Sequence, residues 1–430
     1  MGAGLLPPAG PARRLAAAQL TNALGDGAFL VCSALYFSRV VGLTAPQIGF
    51  GLTLGWAVGA FAGVPLGHLA DRRGPRGVAA LLAVATAGSV GLFLTARAYA
   101  VFLAAAVLYA CAQSGLAAAR QALLAGLVPP ARRTEVRAHL QSTVNAGLAV
   151  GAALGGVALR FDTTAGYLAV LGVDALSFLV SAVLLARLPA VAPAPAAAAG
   201  EPRLAVLRDR PYALVSLVNA VLLLYMPLLS LILPLWIAGR TAAPGWTAAA
   251  LLMLNTLSVV LFQVRVARRV DGLATAVRYV RYAGLALAAG CGGFALSASD
   301  GGAWAAAGVL LASTGLQVVG EMLLASGAWE IGFGLAPADR QGQYQGFFGS
   351  GVAVARTIGP LLLTTLVLGW GPPGWLVLGA VFALAGAAMG PAVRRAERAR
   401  AHGRPVAGAA AAGGSAGVTS AGSPGPAPST

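Results

Sequence analysis

Residues 67–77 read Gly67-His68-Leu69-Ala70-Asp71-Arg72-Arg73-Gly74-Pro75-Arg76-Gly77. An Asp and three Arg crowd into this stretch, in a chain that is 58% hydrophobic and only 10% charged. Such a cluster marks a place where the chain leaves apolar surroundings. A soluble chain of 430 residues needs a polar exterior, and this composition does not supply one. The chain is therefore read as an integral membrane protein. About twenty apolar residues cross a ~30 Å hydrocarbon layer as a helix. Strands of a membrane barrel would alternate apolar and polar residues, and these runs do not.

Outward from this loop, apolar runs fall at 14–38, 47–70, 77–96, 99–127, 139–159 and 164–187. A second set falls at 212–238, 247–266, 275–297, 303–335, 343–369 and 374–392. The pattern predicts an all-α protein with twelve transmembrane helices in two six-helix bundles. The expected boundaries are an N-terminal bundle over 1–187, a cytosolic linker over 188–211, a C-terminal bundle over 212–392 and a tail over 393–430. Pro and Ala dominate the linker. The tail is basic at first and then Ala, Gly, Ser and Pro without period, which reads as disordered. Pro129-Pro130-Ala131-Arg132 lies 208 residues before Pro337-Ala338-Asp339-Arg340, and at the same offset Gly151-Ala152 matches Gly359-Pro360. The halves thus read as duplicated units, and parallel repeats with a site at their interface are a transporter signature.

The net charge is +16, and all 29 cations are Arg. With both termini in the cytosol, 23 Arg fall in cytosolic segments, four lie outside (Arg39, Arg97, Arg160 and Arg240) and two lie within spans (Arg120 and Arg356). That asymmetry predicts a multi-pass protein of the cell membrane with cytosolic termini. The Arg lie between spans and not along one face, so no nucleic-acid partner is expected. Cys32, Cys111 and Cys291 sit inside apolar runs without ligand spacing, so neither disulfides nor a metal are expected.

Gly67-x-Leu69-Ala70-Asp71-Arg72-x-Gly74-x-Arg76, between the second and third spans of a twelve-span chain, resembles the major facilitator superfamily signature, with Pro75 where the family often has an Arg. The resemblance implies a gate formed by Gly67, Asp71, Arg72, Gly74 and Arg76. Asp71 would face the positive end of span eleven near Gln343-Tyr344, and the Arg would pair with carboxylates and lipid headgroups. Gly147-x3-Gly151-Ala152-x2-Gly155-Gly156 resembles the exporters' antiporter motif with Ala152 in place of Pro. Asn22-Ala23-Leu24-Gly25-Asp26-Gly27 and Asp174-Ala175-Leu176-Ser177-Phe178 resemble segments of multidrug and macrolide-type exporters.

Six ionisable groups fall within spans: Asp26, Arg120, Asp174, Glu321, Glu330 and Arg356. Charge in a span is costly and marks a functional candidate. At 1.5 Å per residue, Asp26 and Arg356 lie ~18 Å deep, Asp174 ~20 Å and Glu321 ~24 Å. Glu321 and Arg356 are expected to pair, directly or through water, with Gln317 one turn from Glu321. Asp26 shares a face with Asn22, and no Arg is evident at its depth in the first half. Proton binding relieves the burial of such a carboxylate. Asp26, Glu321 and Asp174 are therefore the proton-coupling candidates, Asp174 leaning toward structural bonding with Ser177. Asn22, Gln113, Gln317 and Arg356 are the cavity candidates. Arg120 and Glu330 are near symmetric counterparts and form a candidate gate pair.

Without Lys there is no P-loop and no Schiff base, and HExxH is absent from the sequence. No enzyme activity and no cofactor are expected. The reading is a monomeric, proton-coupled antiporter that exports a small amphipathic or apolar cargo by alternating access. The alternatives are an uptake symporter for a small nutrient and a non-transporting membrane receptor or lipid-handling protein.

Overall fold

The computed structural model describes residues 10–161, 163–195, 204–299 and 301–403. Among them the chain forms twelve long helices and no strand. In the first half these are α1 (Pro11–Val40), α2 (Ala45–Arg73), α3 (Pro75–Thr95), α4 (Tyr99–Leu127), α5 (Pro130–Phe161) and α6 (Thr164–Ala186). In the second half they are α7 (Arg210–Arg240), α8 (Trp246–Ala267), α9 (Leu273–Leu296), α10 (Gly302–Leu335), α11 (Ala338–Gly369) and α12 (Pro372–Gly403). Eleven are long and apolar enough to cross a membrane. The other, α9, has the length, but Arg278, Arg281 and its run of Gly and Ala make it less apolar.

Packing follows the repeat. In the first half α1 packs on α5 and α6, α2 on α4, and α3 on α4 and α6. In the second half α7 packs on α11 and α12, α8 on α10, and α9 on α10 and α12. Every pairing recurs six helices later, so the halves are two bundles of one design. One core cluster fills the second bundle around Trp236, Trp375 and Phe382. Two fill the first, around Leu116 and Phe178 and around Phe37 and Phe102. Outer faces carry exposed apolar side chains such as Phe61, Leu361 and Leu384, as contact with lipid requires.

Local chemistry sets the ends. Thr44 and Gln47 form a reciprocal capping box at the start of α2. Gly74 and Gly272 precede α3 and α9 with φ of 92° and 124°, a backbone that side chains disfavour. The seventh helix is interrupted by a tight turn at Leu223–Tyr225 and a wide one at Leu228–Ile232. They flank Pro227, which has no N–H to continue the ladder. Two segments carry structure that the sequence reading did not specify. Basic residues from 393 to 403 continue α12 as helix. The first part of the linker, 188–195, is packed on the first bundle, with Leu188 1% exposed. The expected disordered stretch from 404 onward lies outside the described residues.

Candidate functional site

Asp26, mid-way along α1, sits on a stripe whose exposure rises helix turn by helix turn. Asn22 is 3% exposed, Asp26 is half-buried and Leu30 is 73% exposed. The space this stripe lines therefore widens away from the end that carries the Arg-rich loops, here termed the basic end. Asp26 Oδ1 accepts hydrogen bonds from Tyr109 Oη at 3.2 Å and Gln113 Nε2 at 3.4 Å, and Gln113 Nε2 also donates to Tyr109 at 3.0 Å. Tyr109 and Gln113 are one turn apart on α4, so one face delivers both. Phe29 stacks on Tyr109 at 5.7 Å, and Trp56 stands edge-on to it at 6.5 Å.

The second bundle contributes Glu321 and Arg356. Glu321 Oε2 accepts from Asn255 Nδ2 of α8 at 2.7 Å. Arg356 is exposed at the middle of α11, with its guanidinium 5.7 Å from the Trp56 ring across the bundle interface. Exposed Val354 and Ile358 are each two residues away, ~200° round the helix, so Arg356 faces inward and they face lipid. Arg120 and Arg356 both act electrostatically on Asp26.

Three expectations about these charges are corrected. Glu321 and Arg356 form no ion pair among the described residues. Glu321 turns to α8, its packing neighbour, and Arg356 crosses to the first bundle. Arg120 and Glu330 are not partnered either: Arg120 Nη2 donates to Ser181 Oγ at 3.2 Å, and Glu330 accepts from Thr134 Oγ1 of α5. Asp26 does have cations near it, Arg120 from its own half included. Asp174 is fully buried against Gly25, and its carboxylate oxygens meet no hydrogen-bond donor. Ser177 donates instead to the Asp174 main-chain oxygen at 2.7 Å. Gln317 is 1% exposed and packs toward α9, and Asn22 is 3% exposed, so neither cavity candidate is open to solvent in this form.

The basic end is where the bundles clasp. Asp71 Oδ1 accepts from the Gly342 N–H at 2.6 Å and Oδ2 from the Gln343 N–H at 2.9 Å, at the first turn of α11. A carboxylate suits the positive end of a helix. Glycines permit the approach: a Cβ on Gly67 would overlap the Gly342 carbonyl, and one on Gly346 the Gly63 carbonyl. Among the described residues Arg72 and Arg76 meet no carboxylate. Arg72 Nη1 donates to the Pro195 carbonyl at 2.7 Å and Arg76 Nη1 to that of Leu188 at 3.1 Å, because the connecting segment lies across the loop. On the other side of the clasp, Arg268 Nε meets Glu135 Oε1 at 2.8 Å. Close by, Arg137 lies 5.1 Å from the centre of the Trp329 ring.

Residues 15–360 match the family model described as Major Facilitator Superfamily. The chain belongs to the Major Facilitator Superfamily. Solved structures agree in fold. The human organic anion transporter MFSD10 (TETRAN) is 19% identical, with a TM-score of 0.62 over 88% of this chain and 99% of that one. A bacterial homologue of the iron transporter ferroportin, in an outward-facing state, is 17% identical with a TM-score of 0.71 over 90% and 99%. The fucose:proton symporter FucP of E. coli is 15% identical with a TM-score of 0.67 over 90% and 98%. No curated protein matches the sequence.

This Major Facilitator Superfamily chain uses residues that its sequence did not single out as site residues. Tyr109 was visible one turn before Gln113, but nothing placed that face against Asp26. Asn255 carries no signal until α8 is packed on α10. Glu135, Arg137 and Arg268 carry no site signal in the sequence, yet Arg268 pairs with Glu135 and half-buried Arg137 lies over Trp329.

Proposed function

We propose that this protein is a proton-coupled secondary transporter that exports small amphipathic or apolar compounds across the cell membrane. It works as a monomer with its basic end and both termini in the cytosol, as the Arg distribution favours. It performs no chemistry on its cargo. The observation that carries the reading is the placement of Asp26 and Glu321. One half-buried carboxylate stands in each bundle at mid-helix, and Asp26 borders a space that is shut at the basic end and widens toward the other.

In this closed-basic-end form, Asp26 and Glu321 meet protons from outside. Neutralising them lowers the cost of enclosing them as the outer end closes. Opening of the basic end then gives the protons to the cytosol, and cargo enters the space between the bundles. Protons drive this cycle because the two forms hold them with different affinity. The aromatic wall of Phe29, Trp56 and Tyr109 supplies apolar surface for the cargo body.

The test uses proteoliposomes, an imposed pH gradient and an amphipathic bisbenzimide dye as the probe. The gradient is expected to drive dye efflux. Asp26→Asn is expected to abolish that coupling while dye binding persists. Unchanged coupled efflux in Asp26→Asn removes Asp26 from the mechanism, and gradient-driven uptake reverses the proposed direction.

A further inference from the structure

The connector between the bundles is fastened to both members of the Asp71 clasp. On the first-bundle side, the Ala194 N–H donates to the Asp71 main-chain oxygen at 2.7 Å, and so caps the last turn of α2 next to the carboxylate. Arg72 and Arg76 reach out to the connector carbonyls of Pro195 and Leu188. Arg14 of α1 reaches the Arg187 carbonyl at 3.4 Å. Val191 fills a notch on α4 that exists only because residue 126 is Gly: a Cβ there would overlap the Val191 side chain.

The far end of the connector holds the other member. The fully buried Val206 donates its N–H to Gln343 Oε1 at 3.4 Å, and the Gln343 N–H is one of the two that Asp71 accepts. Asp209 caps the seventh helix through the Tyr212 N–H at 2.9 Å and accepts from Tyr344 Oη at 3.0 Å. Between the two ends lies a small cavity walled by Asp71, Val191, Ala194, Asp339 and Gln341.

We infer that residues 188–195 form a strap that positions Asp71, with Val191 in the Gly126 notch as its anchor, so that the connector sets the balance between closed and open basic ends. The physical reason is the geometry of Asp71. It holds two amides of the other bundle only while the end of α2 keeps its place, and the groups that fix this end are connector carbonyls and the Ala194 N–H. Arg72 and Arg76 then serve the gate through the connector. This inference rests on the reading of Asp71 as the closing contact.

The test measures the spread of distances between spin labels at Gly77 and Glu397, one on each bundle at the basic end. It uses the full chain in lipid nanodiscs with the three native cysteines replaced. Gly126→Ala pushes Val191 off α4 and is expected to shift the closed-to-open ratio roughly five-fold toward open, in line with the loss of one or two neutral hydrogen bonds. Val191→Ala added to Gly126→Ala removes the two methyls that overlap and leaves the residue 191 Cβ against the new methyl as anchor, and the double variant is expected to recover most of the closed population. Asp71→Asn serves as the control for the closing contact itself. If Asp71→Asn opens the basic end and Gly126→Ala leaves it shut, the strap is overturned and the clasp stands. If Asp71→Asn also leaves it shut, the reading of the clasp falls and the strap with it. If Gly126→Ala opens the end and the double variant does not recover, the effect does not run through Val191 and the strap is overturned.

Discussion

The two sides of the basic-end clasp occupy equivalent places and use opposite chemistry. Where α2 meets α11, the contact is a carboxylate on two backbone amides, at a seam close enough for glycines to face carbonyls. Where α5 meets α8, the contact is a pair of long side chains, Glu135 and Arg268, with Arg268 44% exposed. The repeat locates the difference. Gly74 and Gly272 hold the same position ahead of α3 and α9; three residues before them stand Asp71 in one half and Arg269 in the other. The contact on that side is made by its neighbour Arg268.

The difference teaches where the closing free energy sits. A buried carboxylate that accepts two N–H bonds at a helix start is charge-assisted and poorly screened. An exposed ion pair is weak and is screened by salt. The α2–α11 side is thus a fixed register, and the α5–α8 side a trimming contact. The sharpest way to break the comparison is steric. Gly67→Val places a side chain against the Gly342 carbonyl, and overpacking of about 1–3 kcal/mol has no route of relief in a backbone-to-backbone seam. The closed-to-open ratio is expected to fall roughly five-fold to a hundred-fold in the spin-label distances, with coupled efflux lost. The equivalent overfilling of the α5–α8 side, where side chains have solvent to move into, is expected to do far less. Equal effects on both sides erase the distinction.

A milder change separates charge from shape. Asp71→Asn keeps one acceptor oxygen and removes the negative charge. Bonds to charged groups contribute ~1.5–3 kcal/mol against ~0.5–1.5 for neutral ones, so the closed population is expected to drop several-fold, less than for Gly67→Val. Because the contact is buried, that drop should change little between low and high salt. A loss that disappears in high salt would place Asp71 in the same class as Glu135.

Sequence and structure part company along one line. Composition and run length already gave the class, the count of spans and the bundle halves, because each depends on a local stretch of chain. The approach of Asp71 to the start of α11 was legible only through the signature that residues 67–76 share with the family; the residues alone read as a solvated, positive-inside turn. The partners of the mid-span charges were not legible. Whether Glu321 meets Arg356 or Asn255 depends on how α10 is rotated and on which helix packs beside it, and spacing along the chain carries neither. The seating of the connector was not legible for a similar reason. Pro and Ala made it a linker, and the notch that receives Val191 is made by a glycine on α4, far away in sequence.

The smallest expected effect lies on the exposed side and sharpens the comparison most. Glu135→Gln and Arg268→Gln each remove one member of a pair whose exposure limits it to ~0.2–1 kcal/mol. Each single variant should therefore shift the closed-to-open ratio by at most about five-fold at low ionic strength. The shift should shrink as salt shortens the screening length to ~8 Å and below. The charge swap, Glu135→Arg with Arg268→Glu, tests whether the pair acts through attraction. Arg132 lies 3.8 Å from Glu135, and in the swap it faces a new like charge, so recovery should be partial. Full salt insensitivity of either single variant would show that this contact holds the bundles by packing, as the α2–α11 seam does. The two sides would then differ in sequence alone.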